Sequence, residues 1–278
     1  MRFFLIVAAF LPLVALPLHA DTISLINDQN DTSDDWNTAA DWSNSQAPSA
    51  GNGYVVTSKT LNVGVTIPGG GGKVQTTFAG DSLSLNGATL SFNMAVDNLQ
   101  LQINIANLSL ANSMVKGFAG ITGNSGFSVG NLTVSGSNTV SIWTGSIDAN
   151  SISGSGILIF QGNYTGIIGD AVNFSGTIMT DSIGTLVLGL TNSQNVSLDL
   201  TTGSNFLIQT DMAVDALTVY DTVIAPGTYT ATDLNAIMRD NLFSGDTITV
   251  VPEPSTLALL ALALGGACLG RRRFLRLA

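Results

Sequence analysis

The sequence predicts an all-β protein: a right-handed parallel β-helix, or solenoid, closed by capping segments. Three observations predict it. First, short runs between Ser82 and Ile208 alternate apolar and polar residues, with Gly, Asn, Ser or Asp between them. Examples are Leu83-Ser84-Leu85, Leu99-Gln100-Leu101-Gln102-Ile103, Leu108-Ser109-Leu110, Val140-Ser141-Ile142 and Leu186-Val187-Leu188. A period of two marks strands with one buried face, and strands this short need stacked neighbours. Second, Asn-Leu-x-Leu/Val recurs at 98, 107 and 131, which suggests corner asparagines stacked into ladders. Third, residues 21–250 hold no glutamate and only four Lys or Arg, so the charged helix formers are scarce. An antiparallel sandwich or jelly roll is the alternative. Its support is Asn86-Gly87 between two alternating runs, a hairpin signal.

Residues 1–20 read as a secretory signal peptide. Arg2 supplies the charge, Phe3 to Leu18 the apolar stretch, and Leu18-His19-Ala20 a cleavage site between Ala20 and Asp21.

Residues 21–80 are expected to form an N-terminal cap and the first strands. Trp36 and Trp42 precede Pro48, Gly51, Gly53 and the strand-like Tyr54-Val55-Val56. The pattern resembles the opening of secreted, autotransporter-like β-helical passengers. Two readings of the tryptophans stay open: a platform on which sugars stack, with Trp143 as a third ring, or a plug over the open end of the solenoid. The acidic group Asp28, Asn30, Asp31, Asp34 and Asp35 departs from an EF-hand loop. Counted from Asp28, the positions that need Gly and Glu hold Ser33 and Ala39. No metal site is expected. Gly69 to Gly72 before Lys73 lacks phosphate-loop spacing and reads as a turn.

Residues 81–210 are the expected solenoid body. The stretch GSGILIFQGNYTGIIGDAVNFSGTIMTDSIGTLVLGL, 154–190, resembles a repeat of autotransporter passengers. That resemblance implies a β-helical coil.

Residues 211–250 are expected to form a strand-helix-strand cap over an unpaired sheet edge. The one helix predicted is Ala231 to Arg239, with Thr230 or Thr232 as its N-cap.

Residues 251–278 are a tail with three elements in order: Val251-Pro252-Glu253-Pro254-Ser255, an apolar run from Leu257 to Leu269, and Arg271, Arg272, Arg273 and Arg276. The prolines favour an extended, accessible stretch. As a helix the apolar run spans roughly 20 Å, short against about 30 Å of hydrocarbon. The arginines would stay cytoplasmic, which puts everything before Pro252 across the membrane. The tail resembles the PEP-CTERM sorting signal of Gram-negative, often biofilm-forming bacteria. That resemblance implies a transient inner-membrane anchor, recognition of the motif by exosortase, and delivery of the body to the cell surface or extracellular matrix.

The body between these ends has little side-chain chemistry to work with. The single histidine, His19, and the single cysteine, Cys268, both lie outside residues 21–250. Histidine triads, cysteine nucleophiles and the usual zinc ligands are therefore absent from it. Four basic residues stand against eighteen aspartates, a net charge of −14. Such a surface disfavours nucleic acid, whose phosphates need clustered Lys and Arg. Paired carboxylates for glycoside hydrolysis, such as Asp170 with Asp181 or Asp211 with Asp215, are expected in any acidic chain and sit in no catalytic motif. The expectation is a non-catalytic structural or adhesive protein without a cofactor. Its expected partners are exosortase and a neutral exopolysaccharide or other matrix proteins. A carbohydrate-binding module and a polysaccharide-degrading enzyme are the alternatives.

Overall fold

A computed structural model describes residues 21–29, 34–64, 72–92, 99–117, 126–142, 145–162, 165–171, 173–181, 183–191, 193–201 and 204–251. They form two long sheets and a small third one. The sheets hold eleven, nine and three strands. Successive strands of the chain fall mostly in alternate sheets, and each pairs in parallel with the strand one coil earlier and one coil later. Ser146 lies beside both Gly126 and Thr165, and Ile157 beside both Ser137 and Thr177. This is the pairing of a β-solenoid. It excludes the antiparallel sandwich. Among the described residues only two strand pairs are antiparallel, Ala216–Val219 with Thr222–Val223 and Gly227–Thr230 with Thr247–Val250, besides one isolated antiparallel bridge between Leu25 and Trp42. The Asn86-Gly87 signal marks a corner. Ser82–Asn86 belongs to the eleven-stranded sheet and Thr89–Phe92 to the nine-stranded one. Gly87 takes a positive φ of 57° there, as a hairpin glycine would, so the local residue preference is right and the partner differs.

The coil shortens along the chain. Register advances from Gly53 to Ser82, from Leu83 to Leu108, from Leu108 to Leu132, and then by 19 or 20 residues, as from Thr165 to Thr185 and Thr185 to Asn205, until the last step, from Phe206 to Phe243, where the terminal cap intervenes. The extra length of the early coils falls between the end of one nine-sheet strand and the next eleven-sheet strand.

Three of the coils have three straight runs, although each contributes to two sheets. In Leu99–Ala111, Leu101, Ile103 and Ile105 point inward, and so do Leu108 and Leu110. Between them Ala106 and Asn107 both face out, so the alternation slips by one. The same slip occurs at 130–131 and 150–151, and pairing is interrupted there. The eleven-stranded sheet bends along this line. The two runs expected at Leu99 and Leu108 are thus one strand with a corner.

The core is a continuous stack of aliphatic and aromatic side chains along the axis. Ile103, Phe127, Ile147, Gly166, Leu186, Phe206 and Phe243 form one inward row, with the glycine its one position lacking a side chain. Corners are held by polar ladders. On the outside, Asn107 Nδ2 donates to the Asp81 carbonyl (2.7 Å), Asn131 Nδ2 to Asn107 Oδ1 (2.7 Å), and Ser151 Oγ to Asn131 Oδ1 (2.9 Å). Inside, the buried Asn138 accepts from Ser113 N (2.9 Å) and donates to the Ser135 carbonyl (2.8 Å). Ser113 Oγ in turn accepts from Ala88 N (3.1 Å). Buried amides of this kind persist because their hydrogen bonds are made.

Candidate functional site

The folded body ends where the tail motif begins. The last strand, Thr247–Val250, lies between Met212–Val214 and Gly227–Thr230 and is paired on both sides. Val251 N donates to the Val214 carbonyl at 2.9 Å. Val251 is thus the last described residue tied into the sheet, and Pro252 has no N–H with which to continue. Pro252, Glu253, Pro254 and Ser255, the apolar run, and Arg271, Arg272, Arg273 and Arg276 lie outside the described residues. Among the described residues no helix is long and apolar enough to cross a membrane.

At the opposite end, Asp21 opens the first strand, Thr22–Ser24, and its carbonyl accepts from Gly53 N at 3.2 Å. Ala20 lies outside the described residues, so the expected cleavage bond falls one residue before the first strand.

The structure places Trp36 and Trp42 inside. Both have 0% exposure. Trp42 Nε1 donates to the Trp36 carbonyl at 2.7 Å. The Trp42 ring meets Tyr54 edge-on with centroids 4.9 Å apart. Tyr54 and Trp36 each meet Phe78 at 5.3 Å. Neither indole offers a face to a sugar in this fold. The pair occupies the place of a plug at the first coil, which corrects the sugar-stacking reading of these two residues. Trp143 lies outside the described residues.

Of the acidic cluster, Asp28 has a structural role at the same end, and Asn30 and Asp31 lie outside the described residues. Asp28 Oδ1 accepts from Thr60 N (2.6 Å), and buried Gln29 accepts from Asn62 N through Oε1 (2.9 Å). Gln29 N and Trp36 N donate to the carbonyls of Thr60 and Asn62. Thr60–Asn62 is the first strand of the nine-stranded sheet, so these four bonds occupy its open edge. The sequence reading missed Gln29. Its signal was slight: one uncharged amide among turn formers.

The far end is closed in the same way. Thr230 caps the helix Ala231–Met238, accepting from Asp233 N at 3.2 Å while Asp233 Oδ2 accepts from Thr230 N at 2.9 Å. The helix presents Asn235 to Phe243–Gly245, the last strand of the eleven-stranded sheet. Asn235 Oδ1 accepts from Leu242 N and Phe243 N, and Nδ2 donates to the Phe243 carbonyl. Covering edge groups in this way blocks strand addition from another chain. Asp233 and Asp211 both hold their carboxyls below the usual aspartate range. For Asp233 the cause is the hydroxyl and then the N–H of Thr230; for Asp211 it is the hydroxyl and then the N–H of Thr247.

The aspartates considered for glycoside hydrolysis stand apart in role. Asp211 holds Thr247, Asp170 accepts from the Thr191 hydroxyl, and Asp181 accepts from Gln161 Nε2 at 2.9 Å. No group of three or more His, Cys, Asp or Glu able to hold a metal occurs among the described residues.

Residues 250–273 match the PEP-CTERM protein-sorting motif. Nothing among curated proteins or solved structures matches the chain. The motif implies export and C-terminal sorting to the cell surface by exosortase.

Proposed function

We propose that the chain is a non-catalytic structural or adhesive protein of the cell surface or extracellular matrix, delivered there by exosortase. One observation carries this reading: the sorting motif starts at Val250, the last residue of the last described strand. The tail can be cut away without removing a strand, because Thr247–Val250 is already paired on both sides. What remains is a stack roughly 45 Å long, from the ~4.8 Å spacing of its strands. The covered edges at Thr60–Asn62 and Phe243–Gly245, with the −14 charge, disfavour edge pairing. Its loops and outer faces would make weak, repeated contacts with neutral exopolysaccharide or other matrix proteins, which add up when many copies are displayed.

Fractionation and intact mass of the chain from its host test the reading, with Glu253→Ala alongside. The expected result is a wild-type body outside the cell lacking the arginine tail, and a variant held in the inner membrane. Wild type that keeps residues 271–276 and stays membrane-bound would overturn delivery. Release of reducing ends or unsaturated sugars from a glycan panel by the wild type would overturn the non-catalytic role.

A further inference from the structure

The outer surface of the nine-stranded sheet is unlike the rest of the body. Five large apolar side chains are exposed among the described residues, and three stand on this sheet: Met114 (38%), Ile157 (38%) and Val223 (76%). Register fixes their neighbours. Thr89, Met114, Thr139, Ile159, Met179, Asp199 and Thr218 form one outward row, one residue per coil. Val223 continues it at the end. Two residues along each strand runs a second row: Lys116, Ser141, Gln161 and Asp181, preceded by Asn62 and Ser91, which are buried. Ile157-Leu158-Ile159-Phe160 is apolar on both faces, the pattern of a strand covered on both sides. Inside, Leu158 and Phe160 meet the core. Outside, Ile157 is exposed and Ile159 half-buried.

We propose that this face is the contact between two copies of the chain, packed sheet to sheet with their stacks running in opposite directions. Charge and overlap select one arrangement. Eight strands of the sheet are parallel, from Thr60–Asn62 to Ala216–Val219, and their midpoint falls between Ser137–Ile142 and Ile157–Gln161. A two-fold axis laid along the strands at that midpoint overlaps all eight. The same axis puts Lys116 of each copy opposite Asp181 of the other, Met114 opposite Met179, and Thr139 opposite Ile159. Lys116 is exposed and makes no ion pair among the described residues. Asp181 receives Gln161 on Oδ2, which leaves Oδ1 for an ammonium. An off-centre axis would lose strands from the overlap and separate the charges. Eight strands at ~4.8 Å, with about four residues each at ~3.3 Å, bury at most about 1,000 Å² in total, less where Asn62 and Ser91 are already covered, which is the size of a weak, transient interface. The dimer is therefore reversible, with an apolar middle and two ion pairs at its margin.

Within one copy, Lys116 and Asp181 are three strands apart, about 14 Å, beyond the reach of a direct amide bond. The test uses chain purified from its host in ¹⁴N and ¹⁵N forms, mixed and treated with a carbodiimide. The expected product is a Lys116–Asp181 amide joining a ¹⁴N to a ¹⁵N peptide, with a monomer–dimer equilibrium in sedimentation velocity. Lys116→Asp alone and Asp181→Lys alone should each weaken the dimer by about tenfold or more. Mixing the two variants should restore it, because each supplies the charge the other has lost. Restoration also shows that both variants fold. Monomer at concentrations up to about 100 μM would overturn the proposal. So would a dimer indifferent to both variants, which places the contact elsewhere, or single variants that weaken it without rescue on mixing.

Discussion

The indole N–H of Trp42 donates to the carbonyl oxygen of Trp36 at 2.7 Å, and neither ring has exposed surface. Two tryptophans six residues apart are thereby locked to each other and to Tyr54 and Phe78 at the first coil. Trp36→Ala should cost about 3–5 kcal/mol in urea unfolding, since it empties a large buried site. Trp42→Phe, which keeps most of the bulk and loses the bond, should cost less, about 1–3 kcal/mol. Equal and negligible effects would mean that the cluster is not a plug.

Asn138 has 0% exposure and links neighbouring coils through Ser113 N and the Ser135 carbonyl. Asn138→Leu leaves both backbone groups without their partner, at about 1–3 kcal/mol for each unsatisfied group. Asn131→Ala, on the solvent-facing ladder, should cost no more than about 1 kcal/mol, because water replaces the lost bonds. Denaturant midpoints of the two variants should fall in that order. The reverse order would contradict the assignment of inner and outer ladders.

Acid should weaken both terminal clasps at the far end. The Asp211 and Asp233 carboxyls are depressed in the folded chain by Thr247 and Thr230. Near and below the ordinary aspartate value of about 3.9, the unfolded chain then binds more protons than the folded one. Stability from these bonds is present above that value and is lost as pH falls through the lower folded values. Asp233→Asn and Asp211→Asn should therefore be less stable than wild type near neutrality, and the difference should shrink toward pH 2. A difference that stays constant across this window would show that neither carboxylate titrates with folding.

Two glycines with positive φ should behave differently. Gly162 sits at φ +118°, and an added Cβ would come within 1.9 Å of the Ile142 carbonyl oxygen in the coil below. Gly162→Ala faces that clash in addition to backbone strain of about 1–3 kcal/mol. Gly51 has φ +86° and open space around it, so Gly51→Ala should show only the backbone cost, about 1–2 kcal/mol. Thermal melts that rank Gly51→Ala as the more damaging change would contradict the stacked coil.

Much of this architecture is written locally. Alternating runs such as Val140-Ser141-Ile142 name the strands and their buried face, and Thr230 or Thr232 marks the start of the helix, with Thr230 the cap in the structure. The Asn-Leu-x-Leu/Val recurrence at 107 and 131 marks a real ladder, because a one-coil repeat brings like residues into register. The tail motif is legible for the same reason: its elements are contiguous, and its meaning does not depend on the fold before it.

Other features depend on residues far apart in the chain. Whether Asn86-Gly87 turns a hairpin or a corner depends on which strand lies beside Ser82–Asn86, and the partners are Gly53–Thr57 and 108–111. Whether Trp36 is a platform or a plug depends on Phe78, forty-two positions away. Whether Lys116 and Asp181 share an outward row depends on the register of three successive coils. The sequence by itself determined strand identity, the capped helix and the sorting tail, since periodicity and capping act over a few bonds. Only the tertiary structure decided partners, corners and which apolar side chains stay uncovered, since those follow from the stacking of coils about twenty residues apart.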